Sequence, residues 1–171
     1  MSGLDAVAVS SGPGSYTGLR IGISAAKGLC YALEKPLIGI GTLKGLTQSI
    51  LNSQFGIHQS LFIPMIDARR MEVYCAVYDD KLNEIEKVSA KIIDEHSFSE
   101  LLTERKVIFF GDGAAKCKPL FSKNKNAIFA EPVFLSAVSM VALAEEKFNR
   151  KEFEDVALFE PLYLKSLEPP K

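Results

Sequence analysis

The sequence has almost no net charge, few histidines and no recognisable metal-binding spacing. Over 171 residues, 20 Lys and Arg stand against 21 Asp and Glu. We therefore expect no long-range attraction of the whole molecule to nucleic acid, and any RNA contact has to be local or made through a partner. The two histidines, His58 and His96, lie far apart in sequence. Neither belongs to an H-x-x-x-H pair, so the prediction is that the chain has no metal site.

Cysteines and long apolar runs are also scarce. Cys30, Cys75 and Cys117 are odd in number, widely spaced and set in apolar or helical contexts. This pattern predicts buried, reduced thiols and a reducing cytosol. No apolar stretch approaches the ~18 residues that a membrane span needs, and the N-terminus lacks a basic n-region. We therefore expect a cytoplasmic protein without a membrane anchor.

Hydrophobic residues are plentiful, at 47% of the chain, which is enough for a real core. Residues 4–12 form an apolar run that ends in Ser, Gly and Pro, as a buried strand entering a loop does. Residues 18–34 carry apolar side chains three and four positions apart, which predicts a helix that Pro36 ends. A second strand and helix follow over 36–43 and 43–52. Strand, helix, strand and helix with short links predict a parallel α/β arrangement.

The pattern changes to consecutive strands after Gly56. Residues 61–68 and 71–80 read as strands separated by two arginines, with a third strand near 86–93. A short helix over 97–104, a strand ending in a glycine turn at 106–113 and a helix over 135–150 complete a second α/β lobe. The predicted division is therefore residues 1–57 for the first lobe and 58–171 for the second.

The segment SSGPGSYTGLRIG (residues 10–22) lies between the first strand and the first helix. Its glycines and hydroxyl residues resemble a turn that holds a phosphate at a helix N-terminus, with Ser15 and Thr17 as the candidate anion or nucleotide contacts. It matches neither G-x-G-x-x-G nor the P-loop motif. A tight turn with close packing therefore remains the alternative.

The first helix also carries a stripe of small residues, which lets another helix or a sheet approach closely. We interpret this stripe as a partner interface, and its candidate residues are Gly18, Arg20, Gly22, Ala25, Ala26 and Leu29. The helices over 18–34 and 43–52 are the elements expected to pack against a partner.

The hairpin Asp67-Ala68-Arg69-Arg70 is a second candidate anion contact. A phosphate-binding hairpin usually needs glycines, and here the turn carries Ala68 and two arginines. Either Arg69 or Arg70 grips a carboxylate or phosphate of a partner, or the turn is simply exposed and basic.

Further motifs favour a structural role over a chemical one. GDGAAK at 111–116 suits an ordinary glycine turn better than an adenosine contact. Asp79 and Asp80 end a strand as a solvated turn. The G-x-S-x-G motif is absent and Ser15 has no obvious histidine partner. The prediction is that the chain has no catalytic residues.

Four motifs in order together resemble the TsaB (YeaZ) family: AVSSGPGSYTGLRIG (8–22), PLIGIGTLKGL (36–46), IDARRMEVY (66–74) and FEPLYLK (159–165). The resemblance covers essentially the whole chain. It implies an α/β fold of the actin-like ATPase (ASKHA) superfamily with two RNase-H-like lobes. Family members begin with further strands and a helix, so the first lobe here is expected to be incomplete and the chain to be N-terminally shortened.

The resemblance also implies a function in making threonylcarbamoyladenosine at position 37 of tRNA. In that process TsaD performs the transfer and the ATPase TsaE assists, and this chain is implied to be a non-catalytic platform that binds them. It is expected to form a homodimer in their absence and to meet tRNA only indirectly. No cofactor is expected on the chain alone, with ATP or ADP possible in the complex. The older glycoprotease-like label finds no support in these residues.

Two other functions stay open. A nucleotide-dependent kinase or hydrolase of the same superfamily would place SSGPGSYTG and GDGA around ATP. A bare dimerisation module would have no role in tRNA modification.

Overall fold

The computed structural model describes residues 3–53, 59–131 and 133–165, and it divides into two compact units. The first unit contains the described residues of Met1–Gly45 and Ser136–Lys171, and the second is Leu46–Leu135. The predicted boundary at 57–58 lies outside the described residues. The predicted lobes also placed residues 136–165 with the second lobe, whereas the structure groups them with the first unit. The reason is long-range packing on the second strand, which leaves no local pattern in the sequence.

The first unit begins with a strand–helix–strand motif, as predicted. Strand β1 (Val7–Gly12) pairs in parallel with β2 (Leu37–Gly41), with Val7 opposite Leu37. Helix α1 (Tyr16–Leu33) connects them and ends at Glu34, which adopts a left-handed conformation with φ 52°. The buried face of α1 follows the apolar period at Leu19, Ile23, Ala26 and Cys30.

The chain returns to this unit after residue 136. Helix α2 (Thr42–Asn52) follows β2 directly, and its residues from Leu46 onwards belong to the second unit. A 3-10 turn (Ala137–Met140) and helix α5 (Val141–Asn149) occupy the stretch predicted as one helix, and α5 packs on β2. Beyond α5 the Glu154 amide donates to the Leu37 carbonyl at 2.9 Å. Val156 and Phe159 then join the core formed by Ala26, Cys30 and Leu37.

The second unit is a five-stranded mixed sheet in the order β5-β4-β3-β6-β7. The predicted meander is confirmed, because β3 (Leu61–Asp67), β4 (Glu72–Tyr78) and β5 (Glu84–Ile92) pair antiparallel. On the other side of β3, strands β6 (Val107–Phe110) and β7 (Ala127–Phe129) run parallel to it. Helix α3 (Ser99–Glu104) precedes β6 and α4 (Ala114–Phe121) links β6 to β7.

Aromatic rings and thiols fill the core of the second unit. The Phe109 ring stacks on Phe121 and on Phe129, each with centroids 5.1 Å apart. The three cysteines of the chain are free and buried, as predicted. Burial raises the pKa of the Cys75 thiol to about 11. None of the helices in the described residues is long and apolar enough to cross a bilayer.

Candidate functional site

The loop between β1 and α1 is filled by the chain itself. Gly12 has φ 105°, and a Cβ there would lie 2.9 Å from the Leu162 carbonyl oxygen. The Leu162 amide donates to the Ser11 carbonyl at 2.7 Å, and the Tyr163 ring packs on Tyr16 with centroids 5.0 Å apart. The FEPLYLK motif therefore covers the glycine turn that resembled a phosphate cradle.

The two hydroxyl residues predicted to contact an anion or nucleotide in the complex lie at the start of α1, and that contact stays a prediction. The Ser15 Oγ caps α1 by accepting the Gly18 amide hydrogen at 3.3 Å. Thr17 is exposed on the first turn of the helix. The turn therefore serves as the rigid start of α1, which supports the close-packing interpretation.

The predicted interface residues occupy different sides of α1. Gly18, Ala25 and Leu29 are exposed along one face. Ala26 is only 5% exposed and belongs to the core. Its assignment to the interface is wrong, because it follows Ile23 by three residues and so falls on the buried face.

Two further predicted interface residues, Gly22 and Arg20, differ in their surroundings from Gly18, Ala25 and Leu29. Gly22 is half-buried, and a Cβ there would lie 4.0 Å from Val9 Cγ2 of β1. Arg20 is exposed, but it donates to the Tyr16 hydroxyl at 2.9 Å and its guanidinium lies 5.0 Å from that ring's centroid. Arg20 thus belongs to the aromatic cluster around Tyr16 and Tyr163.

Sequence reasoning missed two apolar residues exposed on α1. Ile21 is 66% exposed and Tyr31 is 84% exposed. Their departure from the period of Leu19, Ile23 and Cys30 was the signal that could have identified them. By contrast, α2 buries Leu43, Leu46 and Ile50, so its apolar face is used within the chain. That α2 also packs against a partner stays a prediction.

The Asp67–Arg70 hairpin holds its arginines in a strained turn. Arg69 and Arg70 have φ 72° and 49°, and both side chains are exposed. Asp67 Oδ1 accepts hydrogen bonds from Lys116 Nζ at 2.5 Å and from the Arg69 amide at 2.7 Å. These bonds, chiefly that from Lys116, lower the pKa of Asp67. Across the described ranges neither arginine forms an ion pair.

The GDG turn at 111–113 packs directly on β3. Gly111 has φ 96°, and a Cβ there would collide with the Met65 carbonyl oxygen. The Gly113 amide donates to that same oxygen at 3.0 Å. Asp112 Oδ1 accepts the Asp67 amide hydrogen at 3.0 Å. These contacts support the structural interpretation of the motif.

The described residues include a turn held by Asp79 but no cluster of metal ligands. Asp79 Oδ1 accepts the amide hydrogens of Lys81 and Asn83, at 2.9 and 2.8 Å, which is the turn role predicted for it. Among the residues that the structure describes, no group of three or more His, Cys, Asp or Glu side chains could hold a metal ion.

Comparison with known proteins finds a TsaD family model and TsaB relatives. Residues 1–168 match the family model for TsaD, tRNA N6-adenosine threonylcarbamoyltransferase. The chain is similar to the tRNA threonylcarbamoyladenosine biosynthesis protein TsaB of Escherichia coli K12, at 30% identity over 97% of this chain and 73% of that protein. It is 36% identical to the TsaB of Bacillus subtilis 168 over 63% of this chain, and it spans 46% of that relative's length.

Solved structures show the same likeness in three dimensions. A crystal structure from Pseudomonas aeruginosa, described as an uncharacterised protein with similarity to peptidase YEAZ, superposes with a TM-score of 0.82 at 24% identity. That superposition covers 96% of this chain and 75% of the other. YeaZ from Pseudomonas aeruginosa superposes with a TM-score of 0.74, also at 24% identity, over 95% and 76% of the two chains.

Proposed function

Because the chain belongs to the TsaB family, we propose that it is a non-catalytic platform subunit in the formation of threonylcarbamoyladenosine at position 37 of tRNA. Its α/β fold is that of the actin-like ATPase superfamily. The chain spans 46% of the Bacillus subtilis relative and 73% of the Escherichia coli one, so the activity and partners of a whole TsaB protein are part of the proposal.

The observation that carries the proposal is the exposed face of α1. Gly18, Ala25 and Leu29 line this face, with Ile21 beside them. Small side chains allow the axes of two helices to approach to about 8–10 Å, and apolar side chains at such a contact gain free energy on burial. The face therefore suits the docking of a partner helix. We assign TsaD as its partner, with a second copy of this chain taking its place when TsaD is absent.

The filled β1–α1 loop supports the non-catalytic part of the proposal. Leu162 covers Gly12, and the Ser15 hydroxyl caps its own helix. A nucleotide that approached the backbone at Gly12 would have to displace Leu162. We therefore expect no nucleotide on the isolated chain, with TsaE and ATP or ADP entering only in the assembled complex, in the cytoplasm.

A single charge on the α1 face tests the interface. Ala25→Glu should weaken binding to purified TsaD by about tenfold or more, because bulk and charge at a close contact cost ~1–3 kcal/mol. Ser24→Glu adds the same charge to the same helix about 100° away, and should bind normally. Binding is measured by biolayer interferometry. Equal affinity of the two variants would remove the interface assignment.

Ala25 is a better test position than Gly22. A Cβ added at Gly22 would lie 4.0 Å from Val9 Cγ2, so Gly22 borders β1 as well as the exposed face, and a loss of binding there would be ambiguous.

Cell-based restoration and ATP turnover separate the proposal from its rivals. In cells depleted of native TsaB, the chain should restore the modified nucleoside, measured by mass spectrometry of digested tRNA, and Ala25→Glu should not. Failure of the wild-type chain would favour a bare dimerisation module. A kinase or hydrolase instead requires ATP turnover by the purified chain alone, and we expect turnover only after TsaD and TsaE are added.

A further inference from the structure

Four basic residues in the second unit precede two neighbouring strands. Arg105 and Lys106 come directly before β6, and Lys123 and Lys125 come shortly before β7. All four residues are exposed. We call this set the amino-edge basic cluster.

Backbone pairing brings the two halves of the cluster together. The Val107 amide donates to the Asn126 carbonyl at 2.8 Å, and Val107 pairs with Ala127 in the parallel ladder. The Asn126 side-chain amide also donates to the Leu102 carbonyl at 2.9 Å, which ties the loop before β7 to α3. Parallel strands start at the same sheet edge and lie about 4.8 Å apart, so the four cations share one edge.

The cluster is an excess of positive charge on a nearly neutral protein. Its four members carry four positive charges, while the whole chain has a net charge of -1. Within the described residues, no ion pair involves any of the four cations. The acidic residues nearby are Glu100 and Glu104 on α3, just before Arg105, and Glu95, which lines the neighbouring groove.

An open groove of about 470 Å³ adjoins the cluster. Lys123 and Lys125 line it together with Ser99 and Asn124, which add a hydroxyl and an amide. The Thr103 hydroxyl also lines the groove but already donates to the Ser99 carbonyl at 2.8 Å. Lysine, Ser and Asn side chains are among the donors that contact phosphate and sugar in nucleic-acid complexes. The groove thus combines two positive charges with neutral donors.

We infer that the amino-edge basic cluster binds the phosphate backbone of tRNA directly. The naming of tRNA rests on the proposed function, whereas the charge and donor pattern call for a polyanion of any kind. The inference replaces the expectation that this subunit meets tRNA only indirectly. An acidic protein segment is the competing occupant, and the neutral donors around the lysines favour the nucleic acid.

A matched pair of charge reversals tests the inference on the full chain. Lys123→Glu/Lys125→Glu changes the cluster, and Lys81→Glu/Lys87→Glu makes the same change in net charge at two exposed residues on the β4–β5 side of the same unit. The probe is a fluorescein-labelled, unmodified tRNA transcript, followed by anisotropy between 50 and 200 mM salt. The cluster variant should reduce the slope of log K against log salt by about 2, and the control should not.

Three results would overturn the inference. They are wild-type binding that does not depend on salt, equal slopes for the two charge-reversed variants, and tighter binding of polyglutamate than of the transcript at equal salt. The milder Arg105→Gln/Lys106→Gln variant, with thermal unfolding checked, guards against a loss of binding caused by misfolding.

Nucleoside restoration separates this inference from the proposed function. If the chain restores the modified nucleoside and the cluster variant binds the transcript like wild type, only the direct RNA contact is wrong. If the transcript binds through the lysines but no nucleoside is restored, only the platform function is wrong.

Discussion

The side chains of Asp67 and Lys116 hold the turn between β3 and β4. Lys116 donates both to Asp67 Oδ1 and, at 2.7 Å, to the Glu72 carbonyl, so one ammonium group ties together the two strands that flank the turn. The Asp67 side chain is 50% exposed, so solvent screens much of this ion pair. Its contribution to stability is therefore modest but depends on pH.

Lys116→Met should lower the free energy of unfolding at pH 7 by about 0.5–1 kcal/mol, after discounting for solvent screening. Folding lowers the pKa of Asp67 below its ordinary value of 3.8. The pairing with Lys116 therefore stabilises the fold fully above pH 3.8, and this stabilisation is lost as the pH falls through the lowered pKa. Urea unfolding at pH 7 and pH 3 measures this. A difference between wild type and variant that is no smaller at pH 3 would contradict it.

Arg70 sits in a backbone conformation that glycine adopts without strain. At φ 49°, an L-residue other than Gly costs roughly 1 kcal/mol, partly offset by the greater freedom of Gly in the unfolded chain. Arg70→Gly should therefore leave stability unchanged or raise it by up to about 1 kcal/mol, and Arg70→Val should lower it. Urea unfolding ranks the three proteins. A clear loss with Gly would mean that the arginine side chain itself stabilises the turn.

At the scale of secondary-structure elements, residues 153–163 pack on α1 and β2 of the first unit. Lys27 Nζ donates to the carbonyls of Ala157 and Phe159 at 2.9 and 3.1 Å, which fixes the segment to α1. The Phe159 ring lies over Gly39 so closely that a Cβ there would be 2.8 Å from Cζ. Residue 39 therefore has to be small for the segment to reach β2.

Phe159→Ala should destabilise the first unit by about 2–3 kcal/mol, less than the 3–5 kcal/mol of a fully buried Phe, because the ring is half-buried. Hydrogen exchange should accelerate at the β1 and β2 amides and stay unchanged in β3 and β6. Leu158→Ala is the matched control, since Leu158 is 77% exposed. Equal effects of the two substitutions would mean that the segment does not hold the unit together.

For the molecule as a whole, local patterns predicted the elements well but not their grouping. The apolar period of α1 and the β-rich runs of β3 and β4 lie in neighbouring residues, so these elements were predicted. The hydrogen bond from the Glu154 amide to the Leu37 carbonyl joins residues far apart in sequence, and no local sequence pattern predicts it. The same limit applied at the candidate site, where Leu162 on Gly12 changed the interpretation of a motif that looked open to a ligand.

All three thiols should be inert in the native protein. Burial raises the pKa of Cys75 to about 11 from 9.0, so the folded state disfavours the thiolate. The resulting stability is complete below pH 9 and is lost as pH rises towards 11, because only the unfolded chain ionises readily there. Iodoacetamide at pH 8 should label the thiols in urea but not in buffer. Between pH 8 and pH 10.5, the free energy of unfolding should fall less for Cys75→Val than for the wild type.

The second unit is inserted in sequence between the two parts of the first, and this sets the order in which the units can fold on the ribosome. The second unit, Leu46–Leu135, is one continuous stretch and can fold as soon as it leaves the exit tunnel. The first unit has to wait until the residues after Ser136 emerge and reach β2. Throughout that interval the apolar side of α1 lacks its cover from Val156 and Phe159. A nascent chain stalled near residue 135 is therefore expected to recruit chaperones more strongly than one stalled after residue 165 and fully emerged.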